Sequence, residues 1–479
     1  MADIISAIRQ LFSGFSPATI SSIEKLPKSG GDREYYRIKT GDEKSFIATY
    51  NSDLKENEAF TSWAGHFQKK RLPVPVIYAL SDDGKMYIQE DLGSVSLLDL
   101  RLKEKENEHV YRLYEKALFQ LARMQIVGDE GLDYAKATTS GVFSKEAVLH
   151  DLLYFKFYFL DILKLKYDRE RLLKEFEILA QQLSTSAHLH FMFRDFQGRN
   201  IMVRDDDVFF IDFQGGMKGP IAYDAASLLW QAKAELNDKW RTGLFEFYMN
   251  SVEEISGKKI DGPEFSKEYK GFVLLRLLQV LGAYGFRGLF EKKQHFIASI
   301  SNGIRNLSDY KTTFGLDERF PELNKLISLV TDNALVDRFK NISGEHAPLL
   351  VTINSFSFTQ RGYPPDGSGN GGGFVFDCRG IMNPGRIDEY KPLTGRDESV
   401  KVYLEQNTRM PEFLQRVFDT VDITVENYIE RGFENLTINF GCTGGRHRSV
   451  YAADALSKHL QEKYRVRTTV QHLEQNFTE

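Results

Sequence analysis

The segment 193-FRDFQGRN-200 decides the fold of the larger part of the chain. It places an acid, Asp195, five residues before an amide, Asn200, and a second acid, Asp212, follows twelve residues later in 209-FFIDFQ-214. Transfer of a phosphoryl group from ATP requires a carboxylate that orients the acceptor hydroxyl, and oxygen ligands for Mg2+. The spacing therefore predicts Asp195 as the catalytic carboxylate of a phosphotransferase, with Asn200 and Asp212 as its metal ligands.

Acids also cluster in ordinary turns, as 204-RDDD-207 does a few residues away. Asp212 differs because apolar residues surround it, namely Phe209, Phe210, Ile211 and Phe213. An acid within an apolar strand usually has a partner such as a metal ion. We therefore interpret Asp212 as a functional residue.

Length and charge restrict the class of protein. The 479 residues exceed what one hydrophobic core normally organises, so two or three domains are expected. The net charge is −5, and the segment from Glu345 onward holds 15 Lys and Arg against 18 Asp and Glu. Neither the chain nor its last third is a polycation, which disfavours RNA as a partner.

Cysteine use and hydropathy indicate a compartment. The cysteines are Cys378 and Cys442, and the N-terminus lacks a basic region followed by an apolar core. No apolar run in the sequence approaches the roughly 18 residues of a membrane span. We therefore expect a cytoplasmic protein with no membrane partner.

Periodicity and turn signals divide the chain into three parts. Residues 1–98 are predicted to form a small sheet-rich lobe with one helix, and residues 99–340 a mostly helical lobe that carries the catalytic loop. In the helical lobe, the aromatic run at 152–160 is interpreted as core packing. Residues 345–479 are predicted to form a separate α/β domain, in which 361-RGYPPDGSGNGGG-373 is a long surface loop.

Residues 20–335 resemble the aminoglycoside phosphotransferase-type kinases, and most of all the cell-wall sugar kinases that phosphorylate N-acetylmuramic acid and N-acetylglucosamine at the anomeric hydroxyl. The matching stretches are 33-REYYRI-38, 72-LPVPVIYAL-80, 88-IQEDLG-93, 193-FRDFQGRNIMV-203, 210-FIDFQGGMKGPIAYDAASLL-229 and 277-LLQVLGAYGFRGL-289. This resemblance implies an α+β protein-kinase-like bilobal fold, with the α/β domain following it. It also implies ATP and Mg2+ as cofactors and a small-molecule amino sugar as substrate.

The same resemblance implies further site residues. Glu90 and Leu92 would belong to the hinge whose backbone meets adenine. The turn 29-SGGDRE-34, with Gly30, Gly31 and Arg33, would cover the ATP phosphates. Asp224 would hold the catalytic loop by bonding its backbone amides.

The sequence departs from the kinase pattern in two places. Phe193 stands where the loop usually carries histidine, whose role is chiefly architectural. The strand 45-SFIATYN-51 has Ala48 and Thr49 where a lysine would normally neutralise the ATP phosphates. The candidates to replace that lysine are Lys28, Arg33 and Lys44, and Glu58 would be the helix acid left without its usual partner. A catalytically impaired kinase therefore stays open as an alternative.

A second constellation, 441-GCTGGRHRS-449, follows a predicted strand and opens a predicted helix. Backbone N–H groups and the helix N-terminus then surround one concavity, which suits an anion such as the phosphate of a small molecule. The spacing of Cys442, Gly445, Arg448 and Ser449 also fits a cysteine phosphatase, whose thiolate attacks phosphorus. A purely structural role for the cysteine and the double glycine is the third interpretation.

Residues 355–474 closely resemble the C-terminal domain of RapZ-type RNase adaptor proteins. The matches are 355-SFSF-358, 374-FVFDCRGIMNPGRIDEYKPLTGRDESV-400, 403-YLEQ-406, 441-GCTGGRHRSVYAADAL-456 and 466-VRTTVQHLE-474. The resemblance implies binding of an amino-sugar phosphate and of RNA, without known phosphatase activity. The implied phosphosugar site consists of Asp377, Arg379, Cys442, Thr443, Gly444, Gly445, Arg446, His447, Arg448 and Ser449.

The sequence as a whole predicts an ATP-dependent sugar kinase joined to a phosphosugar-sensing domain. Two alternatives remain. One is an impaired kinase-like protein that regulates by binding RNA or a metabolite. The other is a phosphatase that depends on Cys442.

Overall fold

The structure is a computed structural model that describes residues 2–26, 33–186, 188–340, 349–365, 373–431, 433, 435–464, 466–475 and 477–478. The chain forms two compact units, Met1–Phe286 with Ser299–Phe339, and Arg287–Ala298 with Lys340–Glu479. The predicted surface loop at 361–373 falls mostly outside the described residues.

The first unit begins with a five-stranded antiparallel sheet in the order β1-β2-β3-β5-β4. The elements of this region are α1 (Ala2–Phe15), β1 (Ile20–Lys25), β2 (Glu34–Thr40), β3 (Ser45–Tyr50), α2 (Leu54–Lys69), β4 (Ile77–Leu80) and β5 (Met86–Glu90). In β3 the four residues from Phe46 to Thr49 are all buried, as expected for a central strand covered on both faces. The helix α1 was not predicted; its Ile8 and Phe12 are buried in a cluster with residues of the sheet.

Helices make up most of residues 97–340, as the three-and-four spacing of apolar residues predicts. They are α3 (Leu97–Glu104), α4 (Glu108–Ile126), α5 (Lys145–Phe155), α6 (Arg169–Leu183), α7 (Ala222–Leu229), α8 (Asp238–Ser256), α9 (Gly262–Tyr284), α10 (Gln294–Phe314), α11 (Pro321–Val330) and α12 (Asn333–Lys340). Several begin at a side chain that accepts a backbone N–H bond, among them Asn107, Ser144, Asp168, Asn237 and Asp261. Helix α5 continues as a turn of π-helix at Lys156–Asp161, and α9 does so at Gly285–Phe290.

The aromatic run on α5 and its π-helical turn divides into two sets. Phe155 and Phe159 are buried and confirm the prediction of core packing. Tyr154 and Tyr158 are half-buried, and Phe157 has 53% of its surface exposed. Core packing therefore explains only part of the run.

Two short hairpin-like pairs carry the predicted catalytic segment. Strand β6 (Leu189–Met192) pairs with β9 (Met217–Pro220), and β7 (Ile201–Arg204) pairs with β8 (Asp207–Phe210). Asp205 and Asp206, which join β7 to β8, have φ angles of 52° and 60°, the backbone that a tight two-residue hairpin turn requires. The segment 193–200 thus lies between β6 and β7, and Asp212 follows β8 directly.

One helix in the described residues, Gly262–Phe290, is long and apolar enough to cross a membrane, with a hydropathy of 1.3. Of the most apolar 18-residue stretch of this helix, 61% is buried inside the structure. Core helices of folded domains show the same combination of length, apolar composition and burial.

The second unit contains a five-stranded sheet in the order β11-β12-β10-β13-β14. Its elements are β10 (Leu350–Ser357), β11 (Gly373–Asp377), α13 (Glu398–Asn407), α14 (Met410–Arg431), β12 (Asn435–Cys442), α15 (Arg448–Lys463), β13 (Arg467–His472) and β14 (Phe477–Thr478). The pairs are parallel except for the antiparallel contact of β13 with β14. Ser357 lies opposite Cys442 and Asp377 opposite Gly441, so the carboxyl ends of three parallel strands meet at one edge.

A buried carboxylate fixes the start of the catalytic segment. Asp224, in the first turn of α7, has no exposed surface. It accepts N–H bonds from the backbones of Phe193 at 2.7 Å and Arg194 at 3.0 Å, and from the Gln125 side chain at 2.9 Å. The role predicted for Asp224 is confirmed. The Phe193 ring is buried against other aromatic rings and packs where a histidine was expected.

The titration of Asp224 should be visible in the stability of the protein. Burial raises the pKa of Asp224 to about 7, above that of an unfolded aspartate, so protonation favours the folded state. Its contribution is complete below about pH 4 and is lost as the pH rises through about 7. We expect Asp224→Asn to reduce the decline in the free energy of unfolding over this interval, measured by urea unfolding of the intact chain.

Burial also raises the pKa of Glu268 to about 7, so Glu268→Gln is a control that tests the same pH interval away from the catalytic segment. Equal pH dependence in wild type and Asp224→Asn would contradict the argument.

Candidate functional site

Backbone hydrogen bonds bring the three predicted kinase residues together. The Asn200 side chain is buried, and its Nδ2 donates to the backbone oxygen of Asp195 at 2.9 Å. The backbone N–H of Ile211 donates to the Asn200 backbone oxygen at 3.0 Å, which sets Asp212 beside the loop. Residues separated by up to seventeen positions in the sequence therefore share one site.

The Asp195 carboxylate is well supplied with donors yet still reaches solvent. Gln197 donates to it at 2.6 Å and Arg199 at 3.1 Å, and Arg276 Nη2 lies 4.0 Å from it. Its side chain is 38% exposed, whereas Arg276 is buried. A carboxylate held by cations and open on one side can receive a hydroxyl group.

Asp212 has a left-handed backbone with a φ of 67°. Its carboxylate accepts from Gln214 at 2.7 Å and from Arg33 at 3.2 Å. Because Asn200 commits its amide nitrogen to a backbone carbonyl, its side-chain oxygen is the atom suited to a metal. Mg2+ prefers such hard oxygen donors and is often held by one or two side chains plus phosphate oxygens and waters. The donor set therefore fits Mg2+, although the described residues contain no group of three His, Cys, Asp or Glu suited to a metal.

Of the candidates for the missing strand lysine, Arg33 lies beside Asp212. It is 8% exposed, and its guanidinium lies 2.5 Å from Glu56 on α2 and 3.2 Å from Asp212. On the sheet, Thr49 is fully buried between Tyr35 and Tyr87. Thus the chain supplies a cation and a helix acid without a lysine on β3.

The identity of the helix acid corrects the sequence prediction. Glu58 was expected to be the acid left without a partner, but it is 62% exposed and lies 3.4 Å from Lys136. Glu56 is the acid at the site, where Gln214 also reaches it at 3.5 Å. Positions two apart on a helix face in nearly opposite directions, and α2 is too polar for its sequence to show which acid faces inward. Gln214, two residues after Asp212, was missed as well.

Of the other candidates for the lysine role, the structure describes Lys44. Lys44 is 70% exposed and pairs with Asp42 at 2.9 Å. Lys28, Gly30 and Gly31 lie outside the described residues, so the phosphate-covering turn stays a prediction.

The predicted hinge residues lie at the end of β5, with Glu90 as its last residue and Leu92 two residues later. The Glu90 carboxylate accepts from Arg204 at 2.8 Å and from the backbone of Val76 at 3.3 Å, and Leu92 is buried. The Glu90 side chain therefore holds the hinge segment in place. The predicted contact of the hinge backbone with adenine stays a prediction.

In the second unit, the segment 441–449 forms a loop between β12 and α15, as predicted. Cys442, Gly445, His447, Arg448 and Ser449 are buried, whereas Thr443, Gly444 and Arg446 are exposed. A Cβ on Gly445 would lie 2.4 Å from Glu474, and its φ is 62°, so this position requires glycine. A Cβ on Gly444 would meet no atom within 4 Å, so the loop is open at that point.

The basic side chains of this loop hold the neighbouring segment 379–392. The acceptors are backbone oxygens: Pro392 for Arg446 at 2.8 Å, Tyr390 for His447 at 2.9 Å, and Ile381 and Arg379 for Arg448 at 2.7 and 3.2 Å. Arg448 also donates to the Thr443 hydroxyl at 3.3 Å, and its buried Nε has no hydrogen-bond partner among the described residues. The sequence did not predict this bracing role.

The two thiols have opposite surroundings. The Cys442 Sγ lies 3.1 Å from the Ser449 hydroxyl. Burial acts to raise the pKa of Cys442, but the Ser449 hydroxyl, the backbone N–H groups of Ser449 and Arg446, and the Arg448 charge bring it below its ordinary value. Burial raises the pKa of Cys378 strongly.

The acids at the edge of the loop are already paired. Asp377 accepts bonds from the Arg379 side chain at 2.6 to 3.0 Å. These bonds hold the pKa of Asp377 below its ordinary value. Asp377 is therefore suited to remain ionised rather than to donate a proton.

Two protein families match separate parts of the chain. Residues 23–255 match the phosphotransferase enzyme family, and residues 349–476 match the RapZ C-terminal domain. The chain is 39% identical over 130 residues to a nucleotide-binding protein of Novosphingobium aromaticivorans and 45% identical over 112 residues to one of Clostridium perfringens. These matches cover 27% and 23% of this chain, and the chain spans only 40% and 36% of the relatives.

Among solved structures, choline kinase of Cryptosporidium parvum is 12% identical, with 68% of this chain and 99% of that chain covered and a TM-score of 0.46. Ethanolamine kinase of Plasmodium vivax is 16% identical, with 60% and 82% covered and a TM-score of 0.42. The predicted fold class and both family resemblances are confirmed by the family matches and the architecture. Along the chain, a region that matches the phosphotransferase enzyme family is thus followed by one that matches the RapZ C-terminal domain.

Proposed function

We propose that the protein is a cytoplasmic kinase that transfers phosphate from ATP to a hydroxyl of a cell-wall amino sugar, such as N-acetylmuramic acid or N-acetylglucosamine. The observation that carries the proposal is the convergence of Asp195, Asn200 and Asp212, with Arg33 in place of the strand lysine. The choice of sugar rests on the sequence resemblance.

Each residue has a role that follows from its position. The Asp195 carboxylate orients the acceptor hydroxyl and takes up its proton. Asn200 and Asp212 would hold Mg2+, which neutralises charge on the transferring phosphates. Arg33 supplies a fixed positive charge beside Asp212, and Glu56 orients its guanidinium. A buried guanidinium can bond two oxygens at once, which suits phosphate.

Removing each carboxylate charge should give different kinetic results. Incubation of the wild type with ATP, Mg2+ and either sugar should yield a sugar phosphate. Asp195→Asn should lower turnover about a hundredfold or more with little change in ATP affinity. Asp212→Asn, which tolerates the left-handed backbone, should instead weaken binding of the magnesium complex of ATP.

Asp206→Asn, in the exposed hairpin turn, is the matched control and should be neutral. ATP binding by a wild type that phosphorylates neither sugar nor any related hydroxyl compound would favour the impaired-kinase alternative.

The proposed role of Arg33 as the phosphate-binding cation can be tested separately from the roles of the carboxylates. Arg33→Ala should weaken ATP binding about tenfold or more, because a charge-assisted contact to phosphate is lost. Glu56→Gln should reduce activity by releasing the guanidinium, whereas Glu58→Gln on the same helix should not. Nucleotide titration and steady-state kinetics measure both effects. An equal effect of the two glutamate changes would contradict the assignment of Glu56.

For the second unit we propose binding of a phosphorylated amino sugar at the loop 441–449. Support comes from the open space at Gly444, the helix that begins at Arg448, and the meeting of three strand ends. RNA is a less favoured partner, because the segment from Glu345 onward is acidic overall.

A phosphatase is the second candidate function for this loop, because the surroundings of Cys442 favour a thiolate. The paired Asp377 argues against it, since an ionised Asp377 cannot protonate the leaving group. We expect Cys442→Ser to leave phosphosugar binding nearly unchanged, and the wild type to show no hydrolysis of an aryl phosphate. Cys378→Ser is the matched control. Hydrolysis by the wild type that is lost only in Cys442→Ser would establish the phosphatase instead.

A further inference from the structure

Two helices bring charged groups to the catalytic carboxylate. On α5, both oxygens of the buried Asp151 accept from Arg194 at 2.9 Å, and Arg194 is the neighbour of Asp195 in the chain. On α9, the buried Arg276 lies 4.0 Å from Asp195 and donates to Tyr223 at 3.0 Å. The same faces of α5 and α9 therefore form a wall beside the position of the acceptor hydroxyl.

Further along this wall lies an aromatic shelf, made of the contacting rings of Tyr154, Tyr158 and Phe286 together with Tyr284, two residues before Phe286 in the chain. The ring centres of Tyr158 lie 4.8 Å from those of both Tyr154 and Phe286, and those of Tyr154 and Phe286 are 6.0 Å apart. Tyr154 follows Asp151 by one helical turn, which places it about 5 Å further along the helix. Burial raises the pKa of Tyr284 to about 12, and the positive charges of Arg199 and Arg276, both next to Asp195, act against this rise.

The shelf is not simply the edge of the core. Its four rings are half-buried, whereas Phe155 and Phe159 on the same stretch are fully packed inside. Both helices change to π-helix at the shelf, a rare backbone form that is frequent at functional sites. The two π-helical turns touch, since a Cβ on Gly285 would lie 2.1 Å from the backbone carbonyl oxygen of Tyr158. The rings are thus mounted on a close backbone contact.

We propose that the aromatic shelf is the acceptor platform, on which the apolar C–H face of a pyranose ring stacks while one hydroxyl points to Asp195. This inference rests on the proposed kinase function. Aromatic rings offer a large flat apolar surface at low entropic cost, and the tyrosine hydroxyls can meet the polar rim of a sugar. Arg276 and Arg199 then lie at the reacting end, so the platform fixes which hydroxyl is phosphorylated.

The platform predicts a change in acceptor affinity without a change in nucleotide affinity. Tyr154→Leu and Phe286→Leu should each raise the KM for the sugar about tenfold and leave the KM for ATP unaltered. Tyr154→Phe should retain wild-type KM, since it keeps the ring. Phe157→Leu is the matched control, because Phe157 lies on the π-helical turn that follows Tyr154 but is exposed and lies beside the Lys156 ammonium instead.

Saturation-transfer NMR with N-acetylglucosamine, irradiating the aromatic protons, separates this inference from the kinase function. Sugar signals in the wild type that vanish in Tyr154→Leu would support the platform even if no phosphate is transferred. Sugar phosphorylation with unaltered KM in Tyr154→Leu and Phe286→Leu would overturn the platform while the kinase function stands. Absence of sugar binding to the wild type would overturn both. Coinciding thermal transitions of the variants and the wild type would exclude unfolding as the cause.

Discussion

The catalytic half of the molecule depends on the buried carboxylate of Asp224. By accepting the backbone N–H groups of Phe193 and Arg194, it fixes the chain just before Asp195. The φ of Arg194 is 74°, and such a backbone persists only when its surroundings hold it. From there, the Asn200 side chain bonds the Asp195 backbone, and the Ile211 N–H bonds the Asn200 backbone, which positions the turn after β8. The aromatic packing around Phe193 then replaces the support that a histidine would give.

Arg33 brings a buried positive charge to Glu56 and Asp212 from a position outside β3. A lysine on β3 would approach the phosphates from the sheet, but Ala48 and Thr49 stand there instead, and both are fully buried. Arg33 precedes β2 and reaches the same acids with a longer, planar group, which Glu56 and Asp212 hold from two directions. In the proposed kinase, Arg33 would therefore supply the positive charge that a strand lysine usually brings to the phosphates.

The parts that the sequence predicted depend on short-range patterns. The spacing of Asp195, Asn200 and Asp212, the hairpin at Asp205 and Asp206 and the helix periodicity are all local. The choice between Glu56 and Glu58 depends on which face of α2 meets the sheet, and that is a tertiary contact. Helix α1 carries apolar residues at helical spacing from Ile4 to Phe15. This spacing is a local signal for a helix, which the predicted lobe with one helix does not include.

The loop 441–449 shows the same limit more sharply, because its residue types suggested a cluster of phosphate-binding cations. In the structure those cations brace the segment 379–392, so the exposed Thr443 and Gly444 and the loop backbone must provide much of any ligand contact. Arg448 is the exception. Its buried Nε lacks a partner within the described part of the chain, which costs about 1–3 kcal/mol, and a phosphate oxygen that accepted this bond would remove the cost. The Arg448 guanidinium would then bind the phosphate and hold the segment 379–392 at the same time. A bound phosphosugar would therefore contact the same side chain that braces this segment.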